Sequence, residues 1–374
     1  MQSLKKRIPI IAVNALLLLA FFACLIASAS IRDTLRSQQA AKSWAGQSGD
    51  RFSQVSVFIP EKYSFDEQAR FSFRSAIDTA LVAASIEAEA GRTLYTDAWS
   101  AEGDVYVSGG RGAPLTLRAI GVGGDFFLFH PLILRDGSYL SPDDLMKDRV
   151  VIDEELAWRL FGSVRVAGLE IEVNGIPHFI AGVVTRENDF ASAKAYNYGA
   201  GMFMSFESLR DNTADTTRVS TYEIVFPDPI TGFALKTVTD AFPDKDALIV
   251  ENSARYSFMN SLGAIGSFGD RSIRSDRMVY PYWENAARYT EDWLAFLLVL
   301  SFLFVACPVV CGVVYGVKVI MFLVTRGRTS VSRLIDERDG REAEKYLLEN
   351  TDEFADYDID DIISEFRGEP RWQK

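Results

Sequence analysis

The sequence predicts an α+β protein: a two-lobed extracytoplasmic domain, made of a split βαβ lobe and an inserted mixed β lobe, held between two transmembrane helices. Three observations predict it. Two long apolar runs, Ile8 to Ala29 and Trp293 to Val324, bracket a segment of mixed polarity. Strand-helix-strand patterns stand near both ends of that segment. Between them lies a stretch with its own strands, helix and hairpin turn.

Each apolar run is long enough to cross the roughly 30 Å of bilayer hydrocarbon as a helix. Lys5, Lys6 and Arg7 precede the first run, and Arg326, Arg328 and Arg333 follow the second. The positive-inside rule therefore predicts cytoplasmic termini and an external segment from Ser30 to Asp292. A cleaved signal peptide is the alternative for the first run, since Ala27-Ser28-Ala29 makes an acceptable cleavage pattern. The run extends through Ile26, past the usual length of a signal core, which favours a retained anchor. Bulky Phe21 and Phe22 before Ala23 make Cys24 a poor lipidation site. The expected domains are thus residues 1–29 (cytoplasmic start and first helix), 30–292 (outer domain, with an inserted lobe at about 120–218), 293–324 (second helix) and 325–374 (cytoplasmic tail).

The cysteines, Cys24, Cys307 and Cys311, all lie in the apolar runs, so packing without disulfides must hold the outer domain together. Of the net charge of −12, most belongs to the tail, where Asp336 to Glu365 holds thirteen acidic against three basic residues. The rest of the chain lacks the clustered positive face that nucleic-acid binding requires, and no nucleic-acid partner is expected.

In chain order, Ile31 to Gly46 reads as a polar helical extension and Val55 to Ile59 as a strand ended by Pro60. Ser64-Phe65-Asp66-Glu67 reads as a capping box, and Phe73, Ile77, Ala80, Leu81 and Ala84 give the following helix one apolar face. Thr93 to Trp99 is the next strand. The same order returns downstream: Ser220 to Phe226 as strand, Asp228-Pro229 as cap and first-turn proline, Phe233, Leu235, Val238 and Phe242 as the buried side of a helix, and Ala247 to Glu251 as strand. Two such units can combine into a split, ferredoxin-like sheet with helices on one face. Between them, Val150 to Ile152 predicts a buried strand. Asp153, Glu154 and Glu155 suit the positive end of a helix that Gly162 terminates. Leu169, Ile171 and Val173 then alternate with Glu170 and Glu172, and Asn174-Gly175 turns the chain back into Ile176 to Val184. Pro177 puts the start of that returning strand at an edge or bulge.

Gly123-Gly124-Asp125-Phe126-Phe127, Leu134 to Ser141 and Asp143-Asp144 resemble a passage of the MacB-like periplasmic core domain of ABC-transporter permeases. So do Val150 to Gly162, Gly168, the Asn174-Gly175 turn and Phe179 to Val184. The resemblance implies a two-lobed, non-enzymatic domain between the first and second membrane helices of a permease, relaying motion from a cytoplasmic ATPase to the outside. Such permeases carry two further membrane helices, and the second run here is too short for two crossings, so a permease-like half is expected. No G-x-x-x-x-G-K-[ST] occurs, so the ATPase must be another chain.

Little in the sequence points to catalysis. His130 and His178 are the two histidines, and both sit among apolar or strand residues as structural histidines do. The glycines of Gly121 to Gly124 and of Gly109-Gly110-Arg111-Gly112 read as turns rather than phosphate loops. Asp356-Tyr357-Asp358 opens like a calcium loop but has Asp361 in place of the turn glycine and Arg367 in place of the closing glutamate. No cofactor or metal is expected. Interaction features are better represented. Gly312 and Gly316 form a G-x-x-x-G pattern in the second apolar run, a candidate helix-packing face beside the kink-prone Pro308. Ile359, Ile362, Ile363 and Phe366 fall at helical spacing in the acidic tail, where they suit either a helix that folds onto a partner groove or a merely solubilising tail.

The expected function is a two-pass membrane subunit working with an ABC-transporter ATPase, with complete permease chains, or as a homo-oligomer, in export or release of a substrate. The alternative is a membrane-anchored sensor or scaffold that binds an envelope ligand and recruits a cytoplasmic partner through the acidic tail.

Overall fold

The computed structural model describes residues 2–46, 49–87, 93–196, 199–213, 217–266 and 280–349. The chain opens with α1 (Gln2–Thr34), which runs past the apolar segment into a 3-10 turn and α2 (Ala40–Ala45). A first unit follows, β1 (Phe52–Phe58), α3 (Glu67–Ala83) and β2 (Thr96–Ser108). Asp66, rather than Ser64, caps α3, its carboxylate accepting from the Ala69 N–H at 2.9 Å. The reason lies one residue earlier: Phe65 is buried against Phe73, Tyr222 and Phe242, which fixes where the chain can turn into the helix.

The middle of the chain contributes β3 (Leu115–Gly124), α4 (Phe126–Phe129), β4 (Ile133–Gly137), β5 (Arg149–Asp153), α5 (Glu154–Phe161), β6 (Glu170–Val173), β7 (Ile176–Thr185), α6 (Ser192–Ala195), β8 (Met202–Ser205) and α7 (Phe206–Asn212). Local chemistry sets α5: Asp153 caps it by accepting from Leu156 N–H at 2.7 Å, and Gly162 closes it in the left-handed conformation. The β6–β7 turn has positive φ at both Asn174 and Gly175, the geometry that an Asn-Gly hairpin requires. The chain then forms β9 (Thr221–Pro227), α8 (Phe233–Ala241), β10 (Leu248–Glu251), α9 (Phe258–Gly266) and α10 (Tyr282–Glu349). Asp228 reaches over to accept from Ala234 N–H at 3.1 Å, but α8 starts four residues beyond Pro229, so that proline is not in its first turn.

Among the described residues the strands form one sheet in the order β10-β1-β9-β2-β3-β8-β5-β7-β4, with β6 bridging β2 and β7. The first four are antiparallel neighbours in the split βαβ order. α3 and α8 cover one of their faces through Phe73, Ile77, Leu81, Ala234 and Val238. The remaining pairings close a ring, β2-β3-β8-β5-β7-β6 and back to β2 at Val107 and Ser108, filled by aliphatic side chains including Val107, Ile152, Ile171 and Met204. β2 belongs to both parts, which is why it is far longer than the Thr93 to Trp99 strand that its apolar residues suggest. In its outer half exposed Asp104 and Tyr106 alternate with inward Val105 and Val107.

The Gly121 to Gly124 run lies in the last residues of β3, not in a turn. A Cβ on Gly121 would strike Leu209, and one on Gly123 would come within 2.2 Å of the Trp99 ring. These glycines let α7 and an indole approach the sheet. Gly109 and Gly110, by contrast, do make the β2–β3 turn, both with positive φ.

Ile8–Thr34 and Tyr282–Glu342 each contain a window apolar enough to cross a membrane. The chain divides into two compact units, residues 22–301 and a second made of the start of α1 with the later part of α10. Within the second unit Asn14 Nδ2 donates to Cys311 Sγ at 3.7 Å. α10 continues well beyond Val324 as helix, through the expected tail to Glu349. Arg338–Glu342 and Lys345–Glu349 pairs at i,i+4 support it there, at 3.0 and 3.6 Å.

Candidate coupling junction

The first residues of α10, ahead of the apolar run, are part of the outer domain. Tyr282, Trp283 and Ala286 are buried in a core with Phe126, Phe129 and Phe203. Pro281 opens this stretch, and its carbonyl accepts the Glu284 N–H at 3.1 Å, so the helix starts at a fixed point. Trp283 packs its indole against the His130 ring (centroids 4.2 Å apart) and edge-on to Phe126 (5.6 Å). Tyr282 stacks on Tyr196 at 4.2 Å, and the Tyr196 hydroxyl donates to Glu187 at 3.0 Å.

Beside this apolar contact lies a buried cluster of charge. Arg255, in the segment after β10, is 5% exposed and faces two glutamates of α10. Its Nη1 and Nη2 donate to the two carboxylate oxygens of Glu284 at 2.6 and 2.9 Å, and its Nε donates to Glu291 at 2.7 Å. Arg288 adds a donor to Glu284 at 2.7 Å and lays its guanidinium 3.8 Å over the Tyr280 ring. Residues seven apart lie two turns up one helix face, so Glu284 and Glu291 present to Arg255 together. Burial pushes the Glu284 carboxyl up, but Arg255 and Arg288 outweigh it, and the group is held below its ordinary range. Both forks of the arginine are used, which makes this a geometrically demanding contact.

His130 belongs to the same region. Fully buried, it donates from Nε2 to Glu223 of β9 at 2.5 Å. Glu223 also accepts from Ser56 Oγ at 2.9 Å, and Ser56 accepts from Asn252 Nδ2 at 2.6 Å. The histidine thus fastens the α4 segment to the sheet beneath Trp283. His178 is satisfied separately, donating from Nδ1 to the Ile176 carbonyl at 2.9 Å and accepting from Ser208 at 2.8 Å. Among the described residues no group of three or more His, Cys, Asp or Glu stands close enough to hold a metal.

Gly312 and Gly316 lie in α10, and a Cβ at either would meet nothing within 4 Å. Among the described residues no close helix contact is made at them. Ile359, Ile362, Ile363 and Phe366 lie outside the described residues. The Arg255 cluster escaped the sequence reading, although Glu284, Arg288 and Glu291 at helical spacing directly before an apolar run were a visible sign of one. Their partner arrives from 29 and 36 residues away.

Residues 16–250, more than half of the chain, match the family of the MacB-like periplasmic core domain. The chain belongs to that family. Among solved structures, the periplasmic region of MacB from Actinobacillus actinomycetemcomitans is similar, with 16% identity, a TM-score of 0.39, and coverage of 55% of this chain and 92% of that one. The extracellular domain of the ABC-type transporter YknZ from Gram-positive bacteria is similar at 13% identity and a TM-score of 0.35, covering 53% and 99%. No curated protein matches the chain in sequence. This member of the MacB-like family thus carries its core domain between two helices able to cross a membrane.

Proposed function

We propose that this chain is a non-enzymatic membrane subunit that couples a cytoplasmic ATPase partner to its outer domain for export or release of a substrate. The buried Arg255–Glu284–Glu291 cluster carries this reading. A helix that only anchors a domain needs no more than a flexible joint, whereas one locked to the domain by a bidentate arginine transmits rotation and translation to it. Membership of a permease-type family supports the same role. In this scheme both termini are cytoplasmic, residues 30–292 form the outer domain with an inserted lobe at about 120–218, and Gly312 and Gly316 offer a packing face to a permease chain or a second copy. The acidic residues beyond α10, with Ile359, Ile362, Ile363 and Phe366, would meet a cytoplasmic partner.

Purification of the tagged chain from membranes in mild detergent tests the coupling. An ATPase, with or without permease chains, should be recovered with it; recovery of neither overturns the proposal. A reporter fused after Lys374 should be active only inside the cell, and an external C-terminus would remove the two-anchor topology.

A further inference from the structure

Apart from the junction, the outer domain has a cleft of about 560 Å³ beside the end of β3, lined by Arg70, Trp99, Gly124, Phe127, Lys147 and Glu207 among others. Pockets of a few hundred cubic ångströms are the size that holds a small organic ligand. Arg70 is its most unusual wall. The side chain is 8% exposed, and its guanidinium lies 4.5 Å over the Trp99 ring. Its one hydrogen bond is long, 3.4 Å from Nη1 to the Phe65 carbonyl. Among the described residues no carboxylate forms an ion pair with it. Neighbouring Arg74 shows the contrast, since both oxygens of Asp97 bind it at 2.6 Å. A buried cation left with most of its donors unused is costly. Burial also holds the Arg70 group below its ordinary range, against the weaker pull of Glu207 and Glu67.

The rest of the cleft narrows the class of ligand. Of the three lining cations Arg74 is taken by Asp97, and Lys147 joins Arg70 as one without a salt bridge, while Glu67 and Glu207 line the cleft as carboxylates with no salt bridge of their own, among the described residues. Phe71, strongly exposed, and the partly buried ring of Phe127 supply apolar surface. Strongly exposed Leu145 and Met146 lie between lining residues Pro142 and Lys147. A simple anion would satisfy the cations and be repelled by the glutamates. A fatty acid would leave those glutamates with nothing. We infer that this cleft binds a short zwitterionic peptide, its terminal carboxylate on Arg70 above Trp99, its ammonium toward Glu67 and Glu207, and its apolar side chains against the phenylalanines. Guanidinium suits the carboxylate because its fork is planar and pre-organised.

The full chain in detergent, immobilised, should be offered a mixed tetrapeptide pool with free termini and the same pool acetylated and amidated. Retention of the free pool at least tenfold above the blocked pool is expected. In Arg70→Met the preference for a free carboxylate should vanish, while the variant melts no lower than the parent, because removing a buried cation without a carboxylate partner offsets the loss of one long bond and of the stack on Trp99. Glu207→Gln should specifically reduce the discrimination against N-acetylated peptides. Equal retention of both pools, displacement of the peptides by palmitate, unchanged selectivity in Arg70→Met, or a markedly lower melting temperature for that variant would overturn the assignment. The last result would make Arg70 a structural stack on Trp99. None of these outcomes depends on an ATPase partner, so the cleft and the coupling role fail or stand separately.

Discussion

Arg255→Met removes the centre of the buried cluster and leaves two glutamates facing a methionine. Breaking a buried ion pair by deleting one partner costs about 3–5 kcal/mol, since the other charge remains desolvated. Here Glu284 keeps its bond from Arg288 at 2.7 Å, so the lower end applies. For a domain of this size each kcal/mol moves the midpoint by roughly 2–4 °C, so about 3 kcal/mol lowers it by roughly 6–12 °C. Tryptophan emission during heating of the detergent-solubilised chain reads this out, because Trp283 adjoins Glu284 and is buried with it; a Trp283→Phe background identifies its share of the signal. A double-mutant cycle with Glu284→Gln separates contact from packing. Because the two residues share both hydrogen bonds, the combined loss should fall short of the sum by about 1 kcal/mol or more. A midpoint within about 2 °C of the parent, or strictly additive losses, would refute the idea that this cluster fixes α10 to the domain.

The same cluster predicts an acid response. With Glu284 held below its ordinary value, the folded domain binds fewer protons than the unfolded chain between that lowered value and about 4.3. Its stabilising contribution is therefore complete above about pH 4.3 and is lost as pH falls through the folded value, a loss that Glu284→Gln should flatten in melts taken from pH 7 to 3. Gly175→Val should cost on the order of 1 kcal/mol or more, because φ there is +82° while a Cβ would meet nothing, leaving left-handed strain as the only source. A midpoint equal to the parent's would show that the turn is not needed in that geometry. Gly316→Leu has open space around it among the described residues, so reduced co-recovery of a membrane partner at unchanged domain stability is expected, and full recovery would remove that face as a contact surface.

The parts of the fold that could be read in advance are those that local chemistry dictates. Asp153 and Gly162 bracket α5, and Asn174-Gly175 sets the β6–β7 hairpin, each within a few residues of the structure it controls. What could not be read depends on partners distant in sequence. β3 and the long outer half of β2 pair with each other through residues such as Glu102 and Asp104, whose polarity argues for a loop until the ring they close is known. The glycines of β3 make sense only beside Leu209 and Trp99. Helix α10 outlasts its apolar run because intrahelical ion pairs carry it on where hydropathy stops.

The position of the charge cluster also bears on why the junction is not simply apolar. Tyr282, Trp283 and Ala286 already give the helix base a buried apolar contact, and exchanging a buried ion cluster for hydrophobic side chains is often neutral or stabilising. Apolar packing, however, tolerates rotation of a helix by sliding its ridges over the facing grooves. Arg255 does not, because its three donors reach oxygens on two residues of one helix face, and turning α10 about its axis would carry Glu284 and Glu291 away together. His130 adds a second fixed point beneath Trp283 through its bond to Glu223 on the sheet. Two polar contacts of defined geometry next to one aromatic anchor hold the first turns of α10 in one depth and one rotation. A helix base held in this way suits the proposed transmitter of motion better than a tether, which needs no fixed rotation.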